Sequence, residues 1–225
     1  MKIPTSPKGR ATRSRILNAA LACFASAGFE PTTIKDIAQA AEVSTGLIYR
    51  YFPSKDALLL GFYEQMSEEL ALQAESLPRG RLGIRFKALV EHRLERLGPY
   101  RDAMQKLVGL ALDPASSVGV LSPMTARIRE RNAATHRSIV EGAIDVSSSA
   151  VPGLPALLYA VDLLLLLAWV QDPTPDQRAT HRLLDWIASS AGFLPTAMLL
   201  PPVQSGLREL GPLMAELLSL PKDES

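Results

Sequence analysis

The sequence predicts an all-α protein, and three observations carry that expectation. From Arg10 onward, apolar residues recur at helical spacing in segment after segment. Between the segments stand helix start and stop signals: Gly28, Pro31, Thr33, Ser44, Pro53, Gly80, Gly98-Pro99, Asp113-Pro114 and Asp172-Pro-Thr-Pro175. One stretch, residues 33–52, reads as two short helices joined by a tight turn. The chain has 225 residues, 47% of them hydrophobic and 21% charged, which suits a soluble globular protein with a sizeable core.

Residues 1–9, MKIPTSPKG, read as a flexible arm with two prolines, a glycine and no apolar period. The first helix is expected from about Arg10 to Ala27, with Ile16, Leu17, Ala20, Leu21 and Phe24 on one face. Arg10, Arg13 and Arg15 gather at its start, where the helix dipole disfavours cations by roughly a few tenths of a kcal/mol each. A nearby phosphate would offset that cost, which makes Arg10 and Arg13 candidate phosphate contacts. Gly28 ends the helix. Thr33 caps the next one and pairs with Asp36 in a capping box, leaving Ile34, Ile37, Ala38 and Ala41 inside and Lys35 outside.

The following stretch, Val43 to Lys55, is VSTGLIYRYFPSK. Ser44 caps a short helix and Val43 staples onto Leu47 or Ile48. With Leu47, Ile48 and Phe52 inward, Ser44, Thr45, Gly46, Tyr49, Arg50 and Tyr51 face out. Hydroxyls and an arginine reach phosphates and base edges, a glycine admits close backbone approach, and aromatic rings pack on sugar or a thymine methyl. That surface suits a DNA major groove.

Thr32-Thr33-Ile34 and then IAQAAEVSTGLIYRYFPSKDALL closely resemble the DNA-binding domain of the TetR family of transcriptional regulators, over roughly residues 10 to 60. The resemblance implies a three-helix helix-turn-helix DNA-binding domain, expected over residues 10–53. It also implies a C-terminal helical domain, 54–225, that dimerises and binds a small effector, for about nine or ten helices in all. It further implies phosphate contacts at Thr33 and Lys55.

Past Pro53 the helical reading continues. A long helix from Ser54 to about Ser76 has Leu58, Leu59, Phe62, Met66, Leu70 and Leu72 on its apolar face, and as a member of both domains it is the natural lever between effector and DNA. Helices follow at about 81–97, 100–112, 122–146, 154–171, 175–191 and 203–220, the last interrupted by Gly211-Pro212. Leu154–Gln171 is apolar nearly all round, as in a helix buried on several sides. Its apolar run is just short of a membrane span, and Asp162 in the middle would be costly in lipid. This helix and the 175–191 helix are assigned to a homodimer interface, where the family also dimerises. The tail covers the effector cavity or extends the dimer contact; the residues alone do not choose.

Charge distribution agrees with a polyanion partner at the N-terminal end. Residues 1–55 carry eight Lys/Arg against three acids, so the net charge of +1 divides into +5 there and −4 elsewhere. Cys23, the single cysteine, excludes an intrachain disulfide and argues against a thiolate metal cluster; on the apolar face of the first helix it reads as a structural thiol. The N-terminus lacks the apolar region of a secretory signal, so the expected location is cytoplasmic, with no membrane partner. Three scattered histidines, with no HExxH, CxxC, GxSxG or Gly-rich phosphate loop, leave catalysis, metals and cofactors without support.

The effector pocket implied by the fold would draw on Phe62, Met66, Phe86, Leu89, His92, Arg93, Tyr100, Met104, Met124, Ile128, Tyr159, Asp162, Leu166 and Trp169. Its apolar bias suggests a lipophilic effector, with His92, Arg93 or Asp162 giving a few polar contacts. The expected whole is a dimeric regulator, a repressor released by its effector from a palindromic DNA operator. A helical lipid- or metabolite-binding protein that has lost DNA binding is the alternative.

Overall fold

The computed structural model describes residues 6–146, 153–197 and 200–220. Among these the regular structure is helical, apart from one isolated bridge between Gly80 and Ala143. The chain divides into two compact units, Met1–Gln65 with Leu97–Thr125, and Met66–Arg96 with Ala126–Ser225.

The first unit contains α1 (Pro7–Ala27), α2 (Ile34–Ala40), α3 (Thr45–Tyr51), the start of α4 (Lys55–Ser76) and α6 (Arg101–Leu112). Helix α1 starts earlier than its apolar period suggests, because Ser6 accepts from the Gly9 N–H and Pro7 sits in the first turn. Residues 7–9 therefore belong to the helix rather than to the expected arm. Ile16, Leu17, Ala20, Leu21 and Phe24 are buried, and α1 packs against both α2 and α6. At its end Gly28 has φ +88°, and its N–H donates to the Phe24 carbonyl. Cys23 is half-buried, and burial raises the pKa of its thiol.

The grouping differs from the expected boundary after Pro53. The Lys106 ammonium donates to the Ser26 carbonyl (2.7 Å), Tyr100 Oη to Asn18 Oδ1 (3.0 Å) and Ser117 to Asp56. Such contacts join residues far apart in sequence, so no local pattern announces them. The same segment corrects the expected start of α7. Thr125 donates to the carbonyls of Gly119, Val120 and Ser122, winding Pro123–Thr125 into a 3-10 turn before the helix begins.

The second unit contains the rest of α4, then α5 (Leu82–Leu97), α7 (Ala126–Glu141), α8 (Leu154–Gln171), α9 (Arg178–Ala191), a short α10 (Leu194–Ala197) and α11 (Pro201–Leu217). Leu97, the last residue of α5, falls in the first unit's grouping. Helix α8 packs on α7, α9 and α11, as its all-round apolarity requires. A Cβ on Gly153, at the start of α8, would lie 2.4 Å from Gly211 Cα, and one on Gly83 of α5 would lie 1.9 Å from the Ala188 carbonyl oxygen of α9. Bare backbone is needed at both crossings. Arg85 is buried and donates to the carbonyls of Leu77, Pro78, Ser138 and Ile139, tying the end of α4 to the end of α7. Gly142 donates to Ser138 and also accepts from Gly80, so α7 stops at Glu141 instead of reaching Val146.

Two further differences have local causes. Residues 175–177 form a 3-10 turn with Asp176 at φ +54°, so α9 proper starts at Arg178. Asp172 braces that turn by accepting from the backbone N–H and hydroxyl of both Thr174 and Thr180. Helix α11 runs unbroken through Pro212. A proline costs a helix interior about 3 kcal/mol; here packing on α8 outweighs it. On α9 Leu184 is buried and Ile187 half-buried, whereas Leu183 (42% exposed), Trp186 (67%) and Phe193 just beyond (72%) face out; Leu72, expected on the apolar face of α4, is also exposed.

Candidate nucleic-acid interface and interior polar cluster

Helices α2 and α3 are set by their caps. Thr33 accepts from the Asp36 N–H (3.2 Å), while Asp36 Oδ2 accepts from the Thr33 N–H (2.9 Å) and hydroxyl (2.7 Å). These bonds from Thr33 hold the Asp36 carboxyl below its ordinary pKa. The turn passes through Glu42 at φ +52°, with Val43 N–H donating to Ala38 (3.0 Å). Ser44 then accepts from the Leu47 N–H at 3.2 Å. Ile48 and Phe52 are fully buried and Leu47 half-buried, which turns the opposite face of α3 to solvent.

That face carries Ser44, Thr45, Gly46, Tyr49 and Arg50, all exposed, with Tyr49 at 55%. Nothing lies within 4 Å of a Cβ built on Gly46. The protein's own packing therefore does not require a glycine there, although glycine weakens a helix by about 1 kcal/mol relative to alanine. A close external neighbour would require it. Arg10 and Thr33 are likewise exposed, and so is Lys35, an outward cation on α2.

Three expected DNA contacts sit differently. Arg13 is turned inward: its guanidinium lies 5.3 Å from the Phe52 ring centroid, donates to the Gly61 carbonyl (3.3 Å) and lies 4.0 Å from Glu64. Lys55 donates to the carbonyls of Phe29 (2.6 Å) and Glu30 (2.9 Å) and lies 4.6 Å from the Phe29 ring centroid. Tyr51 is half-buried beside Phe52, their ring centroids 6.4 Å apart. Backbone carbonyls and aromatic faces at distant positions capture these side chains, and no helical period reports them.

The expected pocket residues divide between the units. Phe62, Tyr100, Met104 and Met124 belong to the first. Phe62 and Tyr100 meet edge to face at 5.1 Å, whereas Met124 is 63% exposed and lines no interior. Among those in the second, Phe86, Leu89, Arg93, Ile128, Tyr159, Asp162 and Trp169 are buried, and Met66, His92 and Leu166 half-buried. A surface cleft of about 420 Å³ in this unit is lined by Arg79, Val140, Glu141, Ala143, Ile144, Asp145 and Val146, none of them expected.

The buried histidine is His136 rather than His92. Its Nδ1 lies 2.7 Å from the Asn132 carbonyl and its Nε2 3.0 Å from Asp162 Oδ2, which is also 2.7 Å from an Arg93 guanidinium nitrogen. Burial alone would raise the Asp162 carboxyl, but the Arg93 and His136 contacts outweigh it and leave the pKa lowered. The signal for His136 was present in the sequence. It shares one face of α7 with Ile128, Asn132, Ile139 and Val140.

The fold and the α2–turn–α3 geometry together define an all-α helix-turn-helix protein with a helical second unit. Residues 16–61 match the family model described as bacterial regulatory proteins, tetR family, so it is this N-terminal segment that is similar to that family. Among curated relatives, the chain is 30% identical over 118 residues to the HTH-type transcriptional repressor KstR2 of Mycolicibacterium smegmatis, which spans 48% of this chain and 56% of that one. It is 44% identical over 72 residues to the HTH-type transcriptional regulator HbdR of Aromatoleum sp., spanning 29% and 30% respectively. The chain thus spans about half or less of the length of these relatives. The fold is shared with a TetR transcriptional regulator from Nitrosomonas europaea (TM-score 0.61, 20% identity, 80% of this chain and 98% of that one). It is also shared with a tetR-family regulator from Streptomyces coelicolor (0.60, 20%, 93% and 96%).

Proposed function

We propose that this chain is a dimeric, cytoplasmic DNA-binding transcriptional regulator, a repressor that a small lipophilic effector releases from a palindromic operator. The observation that carries the reading is the exposed face of α3, with hydroxyls, an unrequired glycine, Tyr49 and Arg50 side by side. Ser44, Thr45, Gly46, Tyr49 and Arg50 would enter the major groove, with Arg10, Thr33 and Lys35 toward phosphates. Lys55 has one ammonium proton left for a phosphate after its two carbonyls, while Arg13 acts by holding α1 to Phe52. The relatives' description as repressors and regulators supports the same class and speaks against an enzyme.

The second unit would dimerise and hold the effector. Helix α9 offers Leu183, Trp186 and the adjoining Phe193 to solvent, and α8 offers Leu164, an apolar surface suited to a second copy. Two α3 helices about 34–36 Å apart would then meet successive major grooves. An effector that binds better to a conformer with another spacing lowers operator affinity by that difference and no more. Helix α8 is long and apolar enough to cross a membrane, yet its Asp162 is paired inside the protein, which favours the soluble reading. A gel-shift with the duplex DNA flanking the coding sequence tests the proposal. A discrete, competitor-resistant complex supports it, and the absence of any complex at low salt rejects it.

A further inference from the structure

The Arg93–His136–Asp162 group lies where the apolar faces of α5 and α8 meet the mixed face of α7, which buries Arg129, Asn132 and Thr135 beside Ile128 and Ile139. On α5 it continues the stripe of Phe86 and Leu89, and on α8 that of Tyr159, Leu165 and Trp169, all buried. The His136 ring centroid is 6.3 Å from that of Phe86 and 5.3 Å from that of Tyr159.

The Asn132 carbonyl offers only lone pairs, so Nδ1 of His136 carries a hydrogen. Nε2 faces a carboxylate oxygen at 3.0 Å, where lone pair against lone pair would be repulsive; with a proton on either atom the three residues carry a net charge of +1. The contact is close without being an aligned hydrogen bond: Nε2 and both Asp162 carboxylate oxygens have no aligned partner among the described residues. Among those residues, Asp162 and Asp172 are the acids buried in this unit, and Asp172 is spent on Thr174 and Thr180. A buried net charge in apolar surroundings is costly until an opposite charge meets it.

We propose that Arg93 and His136 receive the anionic head of a small amphiphilic organic acid, its apolar body lying along Phe86, Leu89, Tyr159 and Trp169. The proposal rests on the reading of the second unit as the effector domain and names the effector's chemistry. Arg93 supplies guanidinium N–H donors and His136 redirects Nε2–H from Asp162 to the ligand. Asp162 keeps both cations in place before the ligand arrives. Leu218, beyond α11, packs on this region beside Tyr159 and Ala133, and its carbonyl accepts from buried Arg129 at 3.0 Å. Leu218 and the end of α11 are therefore the cover an entering ligand displaces.

The test is calorimetric titration of the full-length protein with dodecanoate, dodecanol and dodecyltrimethylammonium, each below its micellar concentration. Dodecanoate is expected to bind at least about 10-fold more tightly than the alcohol, and the ammonium least tightly. H136Q and R93K, which keep size and hydrogen-bonding capacity, should each reduce that preference severalfold while still binding the alcohol. Equal affinity for acid and alcohol, a preference for the ammonium, no binding at all, or an undiminished preference in both variants overturns the proposal. A gel-shift on the same preparation separates the two readings: operator binding without carboxylate preference removes only the anion site, and loss of operator binding removes the regulator reading itself.

Discussion

The Arg13 guanidinium lies 5.3 Å from the centroid of the Phe52 ring, the residue that closes α3. A cation over an aromatic face, largely desolvated, is worth about 1–2 kcal/mol, and this one joins α1 to the end of the exposed short helix. Arg13→Ala should therefore lower stability by about that amount and weaken DNA binding by loosening α3. Because no phosphate contact is lost, the slope of log affinity against log salt should stay as in the wild type. A slope reduced by about one unit would show instead that Arg13 reaches a phosphate.

Gly46 offers a cleaner separation of folding from binding. An added methyl meets nothing within 4 Å, so Gly46→Ala should raise stability by about 0.5–1 kcal/mol. The same methyl would stand against a groove approached by bare backbone, and affinity for DNA should fall. Thermal melting and anisotropy titration of one sample check both directions. A stabilised variant with undiminished DNA affinity would remove Gly46 from the interface.

Arg85 gives its guanidinium to four backbone carbonyls while buried. Arg85→Met keeps much of the volume but strands those acceptors, and a loss of about 3 kcal/mol is expected. The midpoint of urea unfolding measures it. A shift under about 1 kcal/mol would mean that solvent reaches the carbonyls.

Asp172 bears on acid stability. Bonds from Thr174 and then Thr180 hold its carboxyl well below the ordinary value of 3.8. A carboxyl depressed in the folded state stabilises it above the unfolded value, and that contribution fades as pH falls through the folded one. Stability should therefore fall below about pH 4, and Asp172→Asn should flatten this limb while lowering stability at neutral pH. An unchanged acid limb in the variant would assign the loss to other groups.

Trp186 is 67% exposed on α9, beside Leu183. If this face meets a second copy, Trp186→Glu should cost the dimer about 2 kcal/mol or more, roughly a 30-fold rise in its dissociation constant. Sedimentation equilibrium reads it directly. A variant as dimeric as the wild type would move the interface elsewhere.

How much was legible in the sequence depends on how local the cause is. The α2–turn–α3 unit was, because Thr33 with Asp36, Ser44 with Leu47, and the burial of Ile48 and Phe52 are all settled within a few residues. The inward capture of Arg13 and Lys55 was not, because their acceptors lie 48 and 26 residues away and are backbone carbonyls that any residue would supply. His136 was passed over for His92 for a similar reason. Its distinguishing partner, Asp162, stands on another helix, although its place on the buried stripe of α7 could have been read. Helix α11 ran through Gly211-Pro212 because packing against α8, invisible to local propensity, governs it.

Anisotropy titration of wild type and Arg50→Ala on the operator duplex, from low to physiological salt, tests the central claim most directly. The wild type should bind with log affinity falling linearly in log salt, and Arg50→Ala should be weaker by about 1–3 kcal/mol, with a shallower slope if the arginine holds a phosphate rather than a base. Arg50→Ala protein that binds with wild-type affinity and slope would contradict the placement of α3 in the groove, and wild-type protein indifferent to every duplex would contradict the whole account.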